Sequence, residues 1–183
     1  MQWHGLRIPV ILLALLIGLG VFFGVRWLYN KFSLEEPLAG ALKANQDVQS
    51  FEIEKGRAVT RITVHLAPTP NLKETYRELH RQVQSVLGRQ RFEIKIVDNR
   101  DEKLTRLFYA GQFAVYEAIK RGNYREMIKD LEAEAAKYGA TAVVFLDQEN
   151  VYLQLQNQEH YLYEIIPRRE PVFFPAPTEK LSF

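Results

Sequence analysis

The chain has 183 residues, 47% hydrophobic and 25% charged, values of a globular protein and not of a disordered or collagen-like one. It has no cysteine, which excludes a disulfide framework, a zinc–thiolate site, an iron–sulfur cluster, a cysteine nucleophile and a lipoprotein anchor. Its 24 basic and 22 acidic residues leave a net charge of +2, so no global field draws it to nucleic acid, which is not an expected partner.

The strongest signal comes first. Ile8 to Val25 is an unbroken run of 18 uncharged, mostly apolar residues. At 1.5 Å per residue such a helix is about 27 Å long, close to the hydrocarbon thickness of a bilayer. Trp3, Trp27 and Tyr29 place aromatic rings at its two ends, where the headgroups lie, and Arg7 and Arg26 close it with charge. Pro9 falls in the first turn, where its missing N–H costs nothing. A cleaved signal peptide and a buried core helix are weaker readings: the run is long for a signal core, and RWLYNKF after it holds no small-x-small site. Residues 1–31 are therefore expected to form a single-pass anchor in the cell membrane, with residues 8–29 against lipid. Arg7 and the α-amino group on one flank nearly balance Arg26, Lys31 and Lys43 on the other, so the positive-inside rule assigns the remaining chain to neither side.

Ser33-Leu-Glu-Glu36 reads as a capping box opening a short helix from about Leu34 to Ala44. Phe51 and Ile53 alternate with glutamates, Lys55-Gly-Arg57 turns the chain, and Ile62, Val64 and Leu66 alternate with Arg61, Thr63 and His65, which predicts two strands. Asn71 and Glu74 signal the start of a helix over Leu72–Leu87, whose Leu72, Tyr76, Leu79, Val83, Val86 and Leu87 share one stripe. Gly88 ends it, and Phe92–Val97 reads as a strand.

A long helix follows over Glu102–Lys120, capped by Asp101. Leu104, Leu107, Phe108, Ala114, Val115, Ala118 and Ile119 form its main stripe, while Tyr109, Phe113 and Tyr116 gather on the opposite side. A helix with two apolar sides lies between two layers or presents one of them to a partner. Burial of the trio against the C-terminal strands is the plainer expectation, and an intermolecular surface is the alternative. Asn123 and Glu126 signal a further helix to Tyr138 that buries Tyr124, Met127, Leu131, Ala135 and Tyr138. Thr141–Leu146 reads as a buried strand. Val151, Leu153 and Leu155 alternate with Tyr152, Gln154 and Gln156 in the next, and His160–Ile166 is the last.

The predicted fold is α+β: a transmembrane helix, an αββαβ unit over 32–98, and two helices with a three-stranded antiparallel meander packed on it over 99–167. Pro167, Pro171, Pro175 and Pro177 predict a disordered tail over 168–183.

The order of helix, Val48-x-x-Phe-x-Ile-Glu54 strand, second strand, long amphipathic helix and Phe92-Glu-Ile-Lys-Ile96 resembles small αββαβ modules that follow membrane segments elsewhere. Two such groups are the ring-building motifs of secretion and sporulation assemblies and the cytoplasmic C-terminal domains of cation-diffusion facilitators. The resemblance covers Leu38–Asp98, and it implies a self-associating or partner-binding module near a membrane. The metal-binding histidines and aspartates of the second group have no clear counterparts here.

Candidate chemistry is sparse. The histidines His4, His65, His80 and His160 show no metal-site spacing and read as surface residues, so no metal is expected. Asp98 and Asp101 at a strand end are a carboxylate pair suited to acid–base work, but turn and cap are the plainer roles. Asp147, Glu149 and Asn150 lack calcium-loop spacing and read as a hairpin turn. Ser85 and Ser182 lack a nucleophile context, and no glycine-rich phosphate or dinucleotide loop occurs, so no cofactor is expected. Gly20 and Gly24 have the spacing that lets two membrane helices approach. Lys73, Arg77 and Arg81 lie four apart, a spacing suited to contact with an anionic surface, lipid phosphates or nucleic acid. Glu74 and Glu78 beside them make a solvated mixed face the plainer reading.

The expected function is non-enzymatic: a bacterial single-pass membrane protein whose domain binds a protein partner or itself at the membrane surface. The alternatives are a tethered small-ligand sensor, with a cavity lined by Tyr76, Phe108 and Tyr152, and, below it, a tethered hydrolase built on Asp98 or Asp101 with His65.

Overall fold

The structure is a computed structural model, and it describes residues 8–30, 36–56 and 58–169. The Ser33 capping signal and the proline-rich tail from 170 onward lie outside the described residues. The elements run α1 (Ile8–Asn30), α2 (Glu36–Lys43), β1 (Val48–Lys55), β2 (Thr60–Leu66), α3 (Leu72–Leu87), β3 (Phe92–Val97), α4 (Glu102–Arg121), α5 (Tyr124–Lys137), β4 (Thr141–Leu146), β5 (Asn150–Gln156) and β6 (Tyr161–Pro167). The α+β class and the order of elements after α1 follow the sequence expectation.

The helix α1 has 23 residues. Among the described residues no helix is long and apolar enough to cross a membrane.

Two three-stranded sheets carry the rest, in the orders β1-β2-β3 and β4-β5-β6. In the first, β1 and β2 pair antiparallel and β2 and β3 pair parallel. Gly56 closes the first hairpin: a Cβ there would sit 2.5 Å from the Val59 carbonyl oxygen, so only glycine fits. Ile62, Val64 and Leu66 bury one face of β2 against Leu38 and Leu42 of α2 and Leu79 and Val83 of α3. Arg61, Thr63 and His65 alternate on the opposite face, which is more open. The α3 N-terminus is held as expected, with Glu74 N–H donating to Asn71 Oδ1 at 3.2 Å.

The second sheet is covered on both faces. On one side Val151, Leu153, Leu155, Leu162 and Ile166 pack with Leu104, Leu107, Val115, Met127 and Leu131 of α4 and α5. Gly111 lets those two helices touch, since a Cβ there would lie 2.5 Å from Leu131 Cδ2. On the other side Tyr152, Tyr161 and Tyr163 join the core of the first unit. Burial of Tyr152 and Gln154 corrects the half-buried alternation expected for β5. The meander, and not α4, is the layer between two others.

Three further expectations are corrected. The strand β4 lies at a sheet edge and is not fully buried: Phe145 packs into the first core, but Val143 on the same face is 44% exposed. Asn123 makes no backbone cap; its Nδ2 donates instead to Glu126 Oε2 at 2.9 Å. Tyr124 and Tyr138 are half-buried, not buried.

The halves are joined by a polar clamp on the β2–α3 loop. Gln154 Nε2 donates to the Thr69 carbonyl at 2.9 Å, and its Oε1 accepts from Leu72 N–H at 2.8 Å. Tyr161 hydroxyl donates to the Leu66 carbonyl at 2.7 Å, and Tyr163 hydroxyl accepts from Thr69 N–H at 2.8 Å. Thr75 hydroxyl donates to Asp47 Oδ2 at 2.7 Å, so Thr69 hydroxyl, 2.8 Å from that of Thr75, is the donor between the two. Burial of Thr69 in this loop is tolerated because side chains of β5 and β6 satisfy the backbone there.

Candidate functional site

The face of α4 that turns away from the core is the first candidate. Its inner stripe, Leu104, Leu107, Gly111, Val115 and Ala118, is buried against the meander and α5. Asp101 starts the helix, with Leu104 N–H donating to its Oδ1 at 2.8 Å. That donor holds the Asp101 carboxyl below the usual carboxylate range against the opposing effect of burial. The outer side then carries Tyr109, Phe113 and Tyr116, exposed by 58%, 72% and 54%. Burial of the trio against the meander is therefore corrected: the inner stripe of α4 already occupies that sheet face. Two ion pairs flank the rings. Arg106 bonds Glu102 at 2.5 Å near the start of the helix, and Arg121 bonds Glu117 near its end. The helical period that gathers the aromatic trio also places Arg106 and Glu117 beside it, a pairing that a search for apolar residues alone passes over.

A second candidate is a cleft of about 670 Å³ between α3 and the β4–β5 turn. Tyr76, Arg77, His80 and Arg81 form one wall, and Asp147, Glu149, Asn150 and Tyr152 the other. Phe108 is absent from it and packs instead against the core beneath α4. The turn is built by Asp147, whose Oδ1 accepts from the N–H groups of Glu149 and Asn150, both at 2.8 Å. Its Oδ2 accepts from the Tyr152 hydroxyl at 2.8 Å. Burial pushes the Asp147 carboxyl up, but these donors together hold it below its ordinary value. Burial, then the neighbouring Asp147, pushes the Tyr152 hydroxyl up, and burial with Glu149 and Glu93 does the same for Tyr76.

Lys73, Arg77 and Arg81 do not form a bare cationic strip. Lys73 Nζ is 3.9 Å from Glu74, Arg81 is 2.5 Å from Glu78, and Arg77 faces Asp147. Arg168 is also engaged: its Nε donates to Tyr124 hydroxyl at 3.0 Å, and its guanidinium lies 4.9 Å from that ring.

The carboxylates of the hydrolase reading have other partners. Asp98, with a side chain only 2% exposed, accepts Arg100 at 2.7 Å and Tyr163 N–H at 2.7 Å on the same oxygen. Its other oxygen accepts Arg100 Nε at 2.8 Å, and this partnership with Asp98 raises the arginine pKa. His65 and Asp98 line one open concavity of about 360 Å³. Asp101 accepts Asn157 Nδ2 at 2.9 Å and lies 3.8 Å from His160 Nδ1. Among the described residues no group of three or more histidine or carboxylate side chains is placed to hold a metal ion. No protein-family model and no curated protein matches the chain.

Proposed function

We propose that this is a non-enzymatic, single-pass bacterial membrane protein whose α+β domain mediates protein–protein interaction or assembly at the membrane surface. The observation that carries the reading is the exposed trio Tyr109, Phe113 and Tyr116 on a helix whose inner side is already buried. Aromatic rings are enriched where proteins meet, and isolating three of them in water has no role in folding. The run Ile8–Val25 supports an anchor, and the αββαβ order supports a module of the self-associating kind. Anchoring confines the domain near the membrane, which raises its effective concentration and lets a weak contact suffice.

Two measurements test it. Alkaline carbonate extraction of membranes holding the full chain is expected to leave it in the pellet; release into the supernatant sinks the anchor. Native electrophoresis of gently solubilised membranes is expected to show a complex that the triple variant Y109A/F113A/Y116A loses, with its melting temperature kept. An unchanged complex sinks the aromatic face. The side on which the domain lies is read by a cysteine in place of the exposed Gln148 and an impermeant maleimide.

The α3 cleft favours a second reading, a small-ligand sensor. Its volume is that of an ordinary ligand site, and its walls set arginines against carboxylates, which suits a zwitterion better than an apolar molecule.

A further inference from the structure

We infer that the partner of the α4 face is a second copy of this chain, bound with the two α4 helices antiparallel about a twofold axis. The inference rests on the interaction reading above and names its partner. It is carried by the arrangement of charge around the rings. Along the outer face the order is Glu102, Arg106, Tyr109, Phe113, Tyr116, Glu117, Lys120: acid then base before the rings, acid then base after them, with Lys103 and Arg121 at the edge of the face, about 80° from the Phe113 line.

That order is complementary to its own reverse. In an antiparallel pair centred between residues 111 and 112, Arg106 falls opposite Glu117 of the other copy and Glu102 opposite Lys120. Tyr109 comes within two residues, about 3 Å along the axis, of the level of Tyr116 in the other copy, and Phe113 rests over the small Ala110. A parallel, in-register pair would instead set each charge against its own kind, which opposes association.

The flanks agree. At 100° per residue, Arg106 and Glu117 lie on one side of the Phe113 line, and Tyr109 and Tyr116 on the other. A twofold axis perpendicular to the helix keeps each flank against the same flank of the partner, so charges meet charges and rings meet rings. Two chains anchored in one membrane can be related by a twofold axis only along the membrane normal. Such an axis crosses α4 at a right angle when that helix lies flat on the surface.

The test uses the full chain, purified in detergent, with mass measured by light scattering across a concentration series. The parent is expected to be dimeric. Phe113→Asp is expected to be monomeric with unchanged circular dichroism and melting temperature. Arg106→Glu and Glu117→Arg are each expected to weaken the dimer about tenfold, and the double exchange R106E/E117R to restore it. The restoration is the decisive readout. Within each helix the exchange sets two acids together at positions 102 and 106 and two bases together at positions 117 and 121, so only the contact between copies is repaired. A parent that is monomeric at every concentration overturns the inference, as does a dimer indifferent to Phe113→Asp or a double exchange no better than the single ones. If the purified parent is monomeric but its membrane complex still collapses on Phe113→Asp, the second copy is excluded while the interaction reading stands. If the complex also survives, both fall.

Discussion

The two sheets have equal strand numbers and opposite surroundings. In β1–β3 the central strand buries Ile62, Val64 and Leu66 on one face and leaves the other more open. In β4–β6 the central strand is buried from Val151 to Leu155 without a break, polar Gln154 included. The strand sequences alternate alike, so the difference is made by the layers above and below. A sheet at the outside of a stack needs one apolar face. One at the middle needs two, and the second face can be polar if its groups find partners.

The comparison breaks most readily at Gln154. Gln154→Ala removes both hydrogen bonds to the β2–α3 loop and strands a buried carbonyl and a buried N–H. A loss of about 3 kcal/mol is expected in urea unfolding of the full chain in detergent. A loss below about 1 kcal/mol would mean that water replaces the amide and that the middle layer is wetter than its burial implies. Next is Gly111→Ala, which drives a methyl group into Leu131 on the other face of the same sheet. It is expected to cost about 1–3 kcal/mol, read as a lowered melting temperature.

Asp101→Ala removes the α4 cap and is expected to cost about 1 kcal/mol near neutral pH. The pH dependence has a definite sign. The folded-state pKa of Asp101 lies below its ordinary 3.8, so its contribution is present above that value and is lost as pH falls through the folded pKa. Asp101→Asn keeps an acceptor for Leu104 N–H, so it is expected to flatten the acid limb of the stability curve while costing less at neutral pH. An acid limb as steep as the parent's would contradict this. The smallest effect belongs to the outer sheet: Thr63→Ala on the open face of β2 is expected to stay within about 0.5 kcal/mol. A large loss there would erase the contrast between the sheets.

Local signals were legible in the sequence. Helix Leu72–Leu87 and strand Phe92–Val97 have the boundaries their periodicity implied, and the Asn71 and Asp101 caps form as read. Layer order was not legible. Tyr152 and Gln154 look like a solvated face because burial of that face depends on Thr69 and Leu72, more than eighty positions away. Val143 errs the other way, since its apolar neighbours suggested a core strand and its edge position leaves it open. Of the candidate site, the rings of α4 were visible as a second face, but their exposure followed only once the meander was seen to be covered by the inner stripe.

The clamp on the β2–α3 loop also sets an order of events during synthesis. Its acceptors and donors at Leu66, Thr69 and Leu72 emerge early, whereas Gln154, Tyr161 and Tyr163 are made 82 to 95 residues later. Until β6 has left the ribosome, the unit ending at Asp98 lacks the side-chain partners of its loop backbone and part of its core. Completion of the domain is thus a late, long-range step, slow by the general relation between contact separation and folding rate. A nascent chain cut short before Tyr161 is expected to be cleared by proteolysis and not to persist as a smaller version of the protein.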